Sequence, residues 1–356
     1  MIKRRKYRTQ EPPFSVTFEL TEGCNLSCPM CAVQAIQEKQ GRGMKYMAET
    51  TLRSAMEQIA ALKWNCRIGF AMRGEPSLHP ECAKMVAIVR EHRPRCHITM
   101  LTNGGGLVRK PGPVENVRRL FDAGVNVLGL DDYENVNLVP RIIAAHEEEW
   151  GGKPLISGTT YGGITSTLND KHHFQFFRYP EDLRGNPHQR RPRGTRMLVQ
   201  IRDIMAQAAD KKIGTHGKVF NYAGLAFPPD ETMAGKRCHQ PFRQLAIRYD
   251  GSVAICCNDW LGTYKCGNVV TDGVEAVWQS AAMGAAREML IRGRREMAPC
   301  KGCNHRSYRV GLLPDLLGKG KLHRPDAQTA GDIAQALEGG PYTAQVRTPW
   351  HDRVKS

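Results

Sequence analysis

Strand-like and helix-like segments alternate through the first two-thirds of this 356-residue chain, and that alternation limits its fold more than any other feature. Phe14, Val16, Phe18 and Leu20 recur with a period of two, the mark of a strand. Residues 50–63 then carry Leu52, Met56, Ile59 and Leu62 on one helical stripe, and 67–72 read as a short buried strand. A helix over 82–91 ends before Pro94; strand 97–101, helix 114–123, strand 125–130, helix 136–147 and strand 153–159 follow. From 171 to 196 the pattern gives way to a Pro- and Arg-rich insertion, after which 196–209 reads as a helix and 213–220 as a sixth strand. Six such repeats predict an α/β protein with a parallel sheet and right-handed crossovers. Periodicity alone does not separate an open doubly wound sheet from a barrel.

Directly after the first strand stand Cys24, Cys28 and Cys31, a C-x3-C-x2-C run. Three thiolates on one short loop can hold three irons of a [4Fe–4S] cube, and no neighbouring cysteine closes the fourth. A structural zinc site is the bland alternative, but zinc asks for four N or S ligands and this loop has three cysteines with no adjacent histidine. The spacing, with Asn25-Leu26 inside it, resembles the radical S-adenosylmethionine (SAM) superfamily. That resemblance implies a six-stranded partial (β/α) barrel, SAM chelated to the open iron, and reductive cleavage to a 5′-deoxyadenosyl radical that abstracts hydrogen from a substrate. The site is then expected at the C-terminal ends of the strands, where barrel enzymes carry their catalytic loops.

The strand ends offer candidates for that site. Arg73-Gly74-Glu75-Pro76 looks like the superfamily's Gly-Gly-Glu motif with arginine in place of the first glycine, so Gly74 and Glu75 are expected to receive the amino group of SAM. Its bland reading is a turn before proline. Asn103, in Thr102-Asn103-Gly104, matches the family's polar strand-end residues near SAM, and Met30 matches the position that packs on the adenine. Asp131, Asp132 and Tyr133 close the fourth strand, where two carboxylates and a phenol suit a polar substrate or proton transfer; a helix cap is the alternative. His216, Asn221 and Tyr222 are further candidates for the pocket.

A second cysteine group lies beyond the barrel: Cys238, Cys256, Cys257, Cys266, Cys300 and Cys303. Between them, Asp250-Gly251 marks a hairpin, followed by Gly267-Asn268 and a helix with Trp278. This resembles the SPASM or shortened twitch extension of radical SAM enzymes, a small α+β domain around an auxiliary [4Fe–4S] cluster. Cys238, Cys256, Cys300 and Cys303 match its ligands in order, with Cys257 the alternative to Cys256. Taken alone, four cysteines ending in C-x2-C also describe a zinc ribbon. Cys266 is either a packed thiol or a hydrogen-atom donor to the substrate radical, as a cysteine is in radical SAM epimerases.

The resulting domain expectation is a basic segment 1–13, a barrel over 14–233 with the insertion inside it, a cluster domain over 234–310 and a tail over 311–356. Twelve cysteines, clustered at metal-ligand spacings apart from Cys66, Cys82 and Cys96, which read as small packed residues, and no export signal point to a reducing cytoplasm and not to disulfides. No apolar stretch is long enough for a membrane span. A net charge of +16 favours anionic contacts, yet no aromatic-interleaved RNA-binding signature accompanies the arginine clusters. A non-catalytic, basic zinc protein that binds nucleic acid is the rival from another class. Within the enzyme reading, the expected substrate is a small sugar- or aminocyclitol-like alcohol undergoing dehydrogenation or epimerisation, with flavodoxin or ferredoxin as electron donor. The alternative is a ribosomally made peptide, disfavoured by the short stretch ahead of Cys24, which leaves no room for a leader-binding domain.

Overall fold

The computed structural model describes residues 12–28, 31–41, 43–132, 137–149, 151, 160–161, 164–168, 174–177, 199–203, 221–226 and 233–305. An eight-stranded sheet runs through it in the order β10-β6-β5-β4-β1-β11-β12-β13. These strands are β1 (Ser15–Phe18), β4 (Arg67–Phe70), β5 (Ile98–Thr102), β6 (Val127–Asp132), β10 (Val199–Asp203), β11 (Gln244–Ile247), β12 (Ser252–Ala254) and β13 (Lys265–Asn268). The first six in spatial order, β10 through β11, are parallel; β12 and β13 add an antiparallel hairpin at the edge. β2 (Thr21–Glu22) pairs with β3 (Lys45–Tyr46) beside the sheet, and β7 (Thr160–Tyr161), β8 (Ile164–Leu168) and β9 (Phe174–Phe177) form a separate antiparallel sheet.

The helices are α1 (Val33–Gln40), α2 (Glu49–Ala61), α3 (Cys82–His92), α4 (Pro113–Ala123), α5 (Leu138–Glu149), α6 (Gln240–Arg243), α7 (Val274–Trp278) and α8 (Ala281–Ile291). α2 buries Leu52, Met56 and Ile59 of the expected stripe, with Ala55 beside them, while Leu62, just past the helix end, is half-buried against the core. α4 starts with Pro113 and stops at Gly124, whose positive φ of 120° suits a chain leaving a helix. One continuous core joins these helices to Val16, Phe18, Ile68, Phe70, Ile98, Met100, Leu128 and Leu130 of the sheet and runs on into Leu245, Ile247 and Trp278. Cys66 and Cys96 are buried in it, and half-buried Cys82 packs against it.

Two expected elements differ. Residues 199–203, expected inside a helix, form β10 beside β6. Leu198, Ile201 and Met205 fit a helical stripe, but Val199-Gln-Ile-Arg-Asp also alternates, and pairing with a neighbouring strand decides such short segments. The insertion contributes β9. The sixth parallel strand of the described sheet comes from β11, in the C-terminal region, pairing Ser15 to Phe18 with Gln244 to Ile247. The expected strands at 153–159 and 213–220 lie outside the described residues, as do most of the insertion, the basic N-terminal segment and the tail.

Candidate active site and auxiliary metal centre

β1 lies inside the parallel sheet, between β4 and β11, a setting in which a strand is buried on both faces and its polar phase is buried with its apolar one. Thr17, Glu19 and Thr21 are therefore as buried as Val16, Phe18 and Leu20. The chain then turns through β2 into the cysteine loop. Gly74, at φ 66°, lies against this loop: a Cβ there would overlap the Thr21 and Gly23 carbonyl oxygens, so only glycine lets the two segments meet. The Glu75 amide donates to the Gly23 carbonyl at 2.9 Å and fixes the approach.

The Glu75 carboxylate is buried at the ends of β4 and β5. Its Oε1 accepts from the Ser77 amide (2.9 Å), the Ser77 hydroxyl (2.6 Å) and the Thr102 hydroxyl, and its Oε2 accepts from the Asn103 amide (2.7 Å). Burial lifts its pKa above the usual carboxylate range against the pull of these donors. Asn103 bridges onward: its Nδ2 donates to Cys24 Sγ (3.4 Å) and to Asn25 Oδ1 (3.1 Å). Burial raises Cys24 and Cys31 to about 12 and Cys28 to about 11. Asp131, at the end of β6, lies near enough to raise Cys28 and Cys31 further. Asp132 pairs with Asp203 in the sheet; Met30, Tyr133 and His216 lie outside the described residues.

Arg73, the departure from the glycine of the motif, is fully buried. Its Nε and Nη2 grip Glu19 at 2.5 and 2.6 Å, Nη2 also reaches Glu22, and Nη1 donates to the Trp260 carbonyl. Glu22 in turn binds Lys45 and Arg248, each at 3.0 Å. Paired, hydrogen-bonded charges of this kind persist in an interior that would reject either sign alone. The network joins the cysteine loop, the β4 loop and the C-terminal hairpin at one point.

On the other side of the cysteine loop, Ala32, Val33 and Ile36 of α1 and its start pack with Trp260, Cys24, Cys31 and Tyr222. The Tyr222 and Trp260 rings lie 4.9 Å apart. Tyr222 thus stands between the two cysteine groups. Asn221, expected to face the barrel pocket, instead clasps the C-terminal ligand loop: it exchanges hydrogen bonds with Asn304 and donates to the Gly302 carbonyl at 2.7 Å.

Cys238, Cys256, Cys300 and Cys303 line one recess, together with Ala223, Ile255, Leu290, Arg295 and His305. Burial, and then the neighbouring thiols, raise Cys256 and Cys300 well above the ordinary thiol range. No three His, Cys, Asp or Glu side chains among the described residues gather on a single ion; these four are spread around the recess. Cys257 does not line it, and its sulfur accepts from Gln240 Nε2 at 3.8 Å. Cys266 is buried, with its S–H toward the Tyr264 carbonyl and Arg287 of α8 nearby, and burial raises it to about 12.

Residues 18–131 match the Radical SAM superfamily, and residues 238–304 match SPASM, an iron-sulfur cluster-binding domain. The chain belongs to the radical SAM superfamily. It is a radical SAM enzyme whose cofactors are SAM and two [4Fe–4S] clusters. It is 22% identical over 296 residues to an S-adenosyl-L-methionine-dependent 2-deoxy-scyllo-inosamine dehydrogenase of Niallia circulans, spanning 83% of this chain and 94% of the relative. Its fold is that of BtrN, solved with AdoMet and 2-DOIA, at a TM-score of 0.55 and 17% identity over 83% of this chain and 94% of that one. BtrN in an open conformation matches at 0.52.

The donor sets suit these cofactors. Three half-buried thiols on one loop would leave a cube with an open iron, whereas four buried thiols around one recess would close a second. Glu75 is a buried carboxylate whose partners are hydroxyl and amide donors, and an ammonium would supply the cation it lacks. Among the described residues, no helix is long and apolar enough to cross a membrane. Sequence reasoning overlooked Glu19, Glu22, Arg248, Trp260 and Arg295. The one available signal was Glu19, a charge in the polar phase of a strand that a parallel barrel covers on both faces.

Proposed function

We propose that this enzyme oxidises a secondary alcohol of an aminocyclitol- or sugar-like substrate, with Cys24, Cys28 and Cys31 holding the catalytic cluster and Cys238, Cys256, Cys300 and Cys303 the auxiliary one. The observation that carries it is the second thiol set: four cysteines share one recess, so its cluster has no open iron for substrate and suits electron transfer. The relationship to a 2-deoxy-scyllo-inosamine dehydrogenase along 83% of the chain supports the substrate class.

When bound, SAM and the clusters supply a carbon-centred radical for hydrogen abstraction and a one-electron sink. The protein's residues do the rest. Glu75 takes the SAM ammonium on Oε2, which holds a single donor in the structure. Asn103 ties the β5 loop to the cysteine loop and keeps SAM, cluster and strand ends in register. Asp131, near the C-terminal end of β6, would accept the hydroxyl proton as the alcohol carbon loses a hydrogen atom and then an electron, giving a ketone. Tyr222 and Trp260 pack on each other and against Cys24 and Cys31, which would shield the cysteine loop on that side. Reducing equivalents for SAM cleavage come from a one-electron carrier such as flavodoxin or ferredoxin. The packed position of Cys266 beneath α8 supports a filling role and an oxidation without a hydrogen-returning thiol.

Replacing Cys24, Cys28 and Cys31 together by alanine tests the assignment. After anaerobic reconstitution the variant should hold about half the native iron, roughly four atoms in place of eight, and form no 5′-deoxyadenosine with dithionite. Full iron content, or continued SAM cleavage, would remove these cysteines from the catalytic cluster.

A further inference from the structure

Arg295 is buried in the wall of the recess that the four C-terminal cysteines share. Its Nε donates to the Lys236 carbonyl (2.9 Å), Nη1 to the Cys303 carbonyl (3.0 Å), and Nη2 to the His305 (3.0 Å) and Arg237 (3.3 Å) carbonyls. Every one of these acceptors is a neutral backbone oxygen. Among the described residues no carboxylate pairs with it. Asp259, the acid near Cys300, spends its oxygens on the Thr263 amide and hydroxyl and the Tyr264 amide. Arg287, a buried guanidinium of the same region, stacks on Trp278 at 4.1 Å and donates to the Pro241 and Trp278 carbonyls, and Arg243 lies over the Phe14 ring at 5.1 Å.

A buried guanidinium fed only by carbonyls keeps its full charge, and arginine does not shed its proton to escape burial. Four thiolates around a [4Fe–4S] core carry net negative charge, and reduction adds one more. A fixed cation in the wall therefore favours the reduced state over the oxidised one, more strongly in a buried site than in water.

We propose that Arg295 is the charge that poises the auxiliary cluster as an electron acceptor. The electron released as the substrate radical becomes a ketone enters a cluster whose reduced form the Arg295 guanidinium stabilises; no bond at the cluster forms or breaks. The inference rests on the reading that these four cysteines carry a cluster. Its measurement needs neither substrate nor SAM, so the two can fail separately.

The test is a redox titration of the auxiliary cluster, followed by electron paramagnetic resonance, in protein whose catalytic cluster has been removed by the triple cysteine substitution. Arg295→Met and Arg295→Gln remove the charge; Arg295→Lys keeps it and loses the planar fork. The neutral variants should make reduction at least tenfold less favourable, a fall of about 59 mV or more for a one-electron couple, with Arg295→Lys nearer the native value. If only the neutral variants fail to load the cluster and the lysine variant loads it, the charge is again what the thiolates require. Unchanged potential in a loaded neutral variant overturns the proposal. So does an equal fall, or an equal failure to load, in all three, because the carbonyl fork and not the charge would then be the function.

Discussion

Arg73→Met removes the cation that two buried carboxylates share, and the structure says where the loss falls. Glu22 keeps Lys45 and Arg248 at 3.0 Å, but Glu19 is left with one hydrogen bond, from the Tyr249 amide at 3.3 Å, and the more distant charge of Arg248. Breaking a buried pair by deleting one partner costs about 3–5 kcal/mol, and most of it should sit on Glu19. Arg73→Met is therefore expected to lower the unfolding free energy of the reconstituted protein by that amount, read by anaerobic urea titration with circular dichroism. Adding Glu19→Gln should restore more than ~1.5 kcal/mol, because a neutral amide tolerates the site that a lone carboxylate does not. The pH dependence follows from the same charge. Burial already raises Glu19 above its ordinary value with Arg73 present, and losing Arg73 raises it further. A carboxyl raised in the folded state stabilises below its unfolded pKa and loses that contribution as pH climbs through its folded pKa. The deficit of Arg73→Met relative to the native protein should thus be larger at pH 8 than at pH 6. A loss under ~1 kcal/mol, or no rescue by Glu19→Gln, would refute the view that this network is a charge-balanced joint.

Two further substitutions test the site. Glu75→Gln should weaken SAM binding by on the order of 1–3 kcal/mol while both clusters still assemble, measured by isothermal titration of the reconstituted protein; unchanged affinity would remove Glu75 as the ammonium acceptor. Cys266→Ala should leave turnover within a few-fold of native, and the native reaction run in D2O should place no deuterium at the oxidised carbon or elsewhere on carbon through a returned hydrogen atom. Solvent label that disappears with Cys266→Ala would instead make it a hydrogen donor.

Much of the core was legible because its signals are local. The stripe of Leu52, Met56 and Ile59 needed only helical spacing, and the C-x3-C-x2-C run needed only neighbours in sequence. What escaped is what depends on distant partners. Residues 199–203 fit both periods, and only β6 beside them selects a strand. Arg73 reads as a defect in a glycine motif until Glu19, Glu22 and the Trp260 carbonyl surround it. Asn221 reads as a pocket candidate from its place at an expected strand end, whereas its partners Asn304 and Gly302 lie 83 and 81 residues away in the auxiliary loop. Which of the adjacent Cys256 and Cys257 side chains faces the recess depends on the local backbone and not on spacing; Cys256 lines it.

The central claim is that this enzyme takes a hydrogen atom from an alcohol carbon of a small cyclitol-like substrate and passes the remaining electron to the auxiliary centre. Its most direct test uses 2-deoxy-scyllo-inosamine and related aminocyclitols deuterated at the carbinol carbons, incubated anaerobically with the reconstituted enzyme, SAM and a reductant. The expected result is one deuterium in 5′-deoxyadenosine for each ketone formed, with label transferred from a single ring position. SAM cleavage that yields only unlabelled 5′-deoxyadenosine and no ketone with every such alcohol would contradict it.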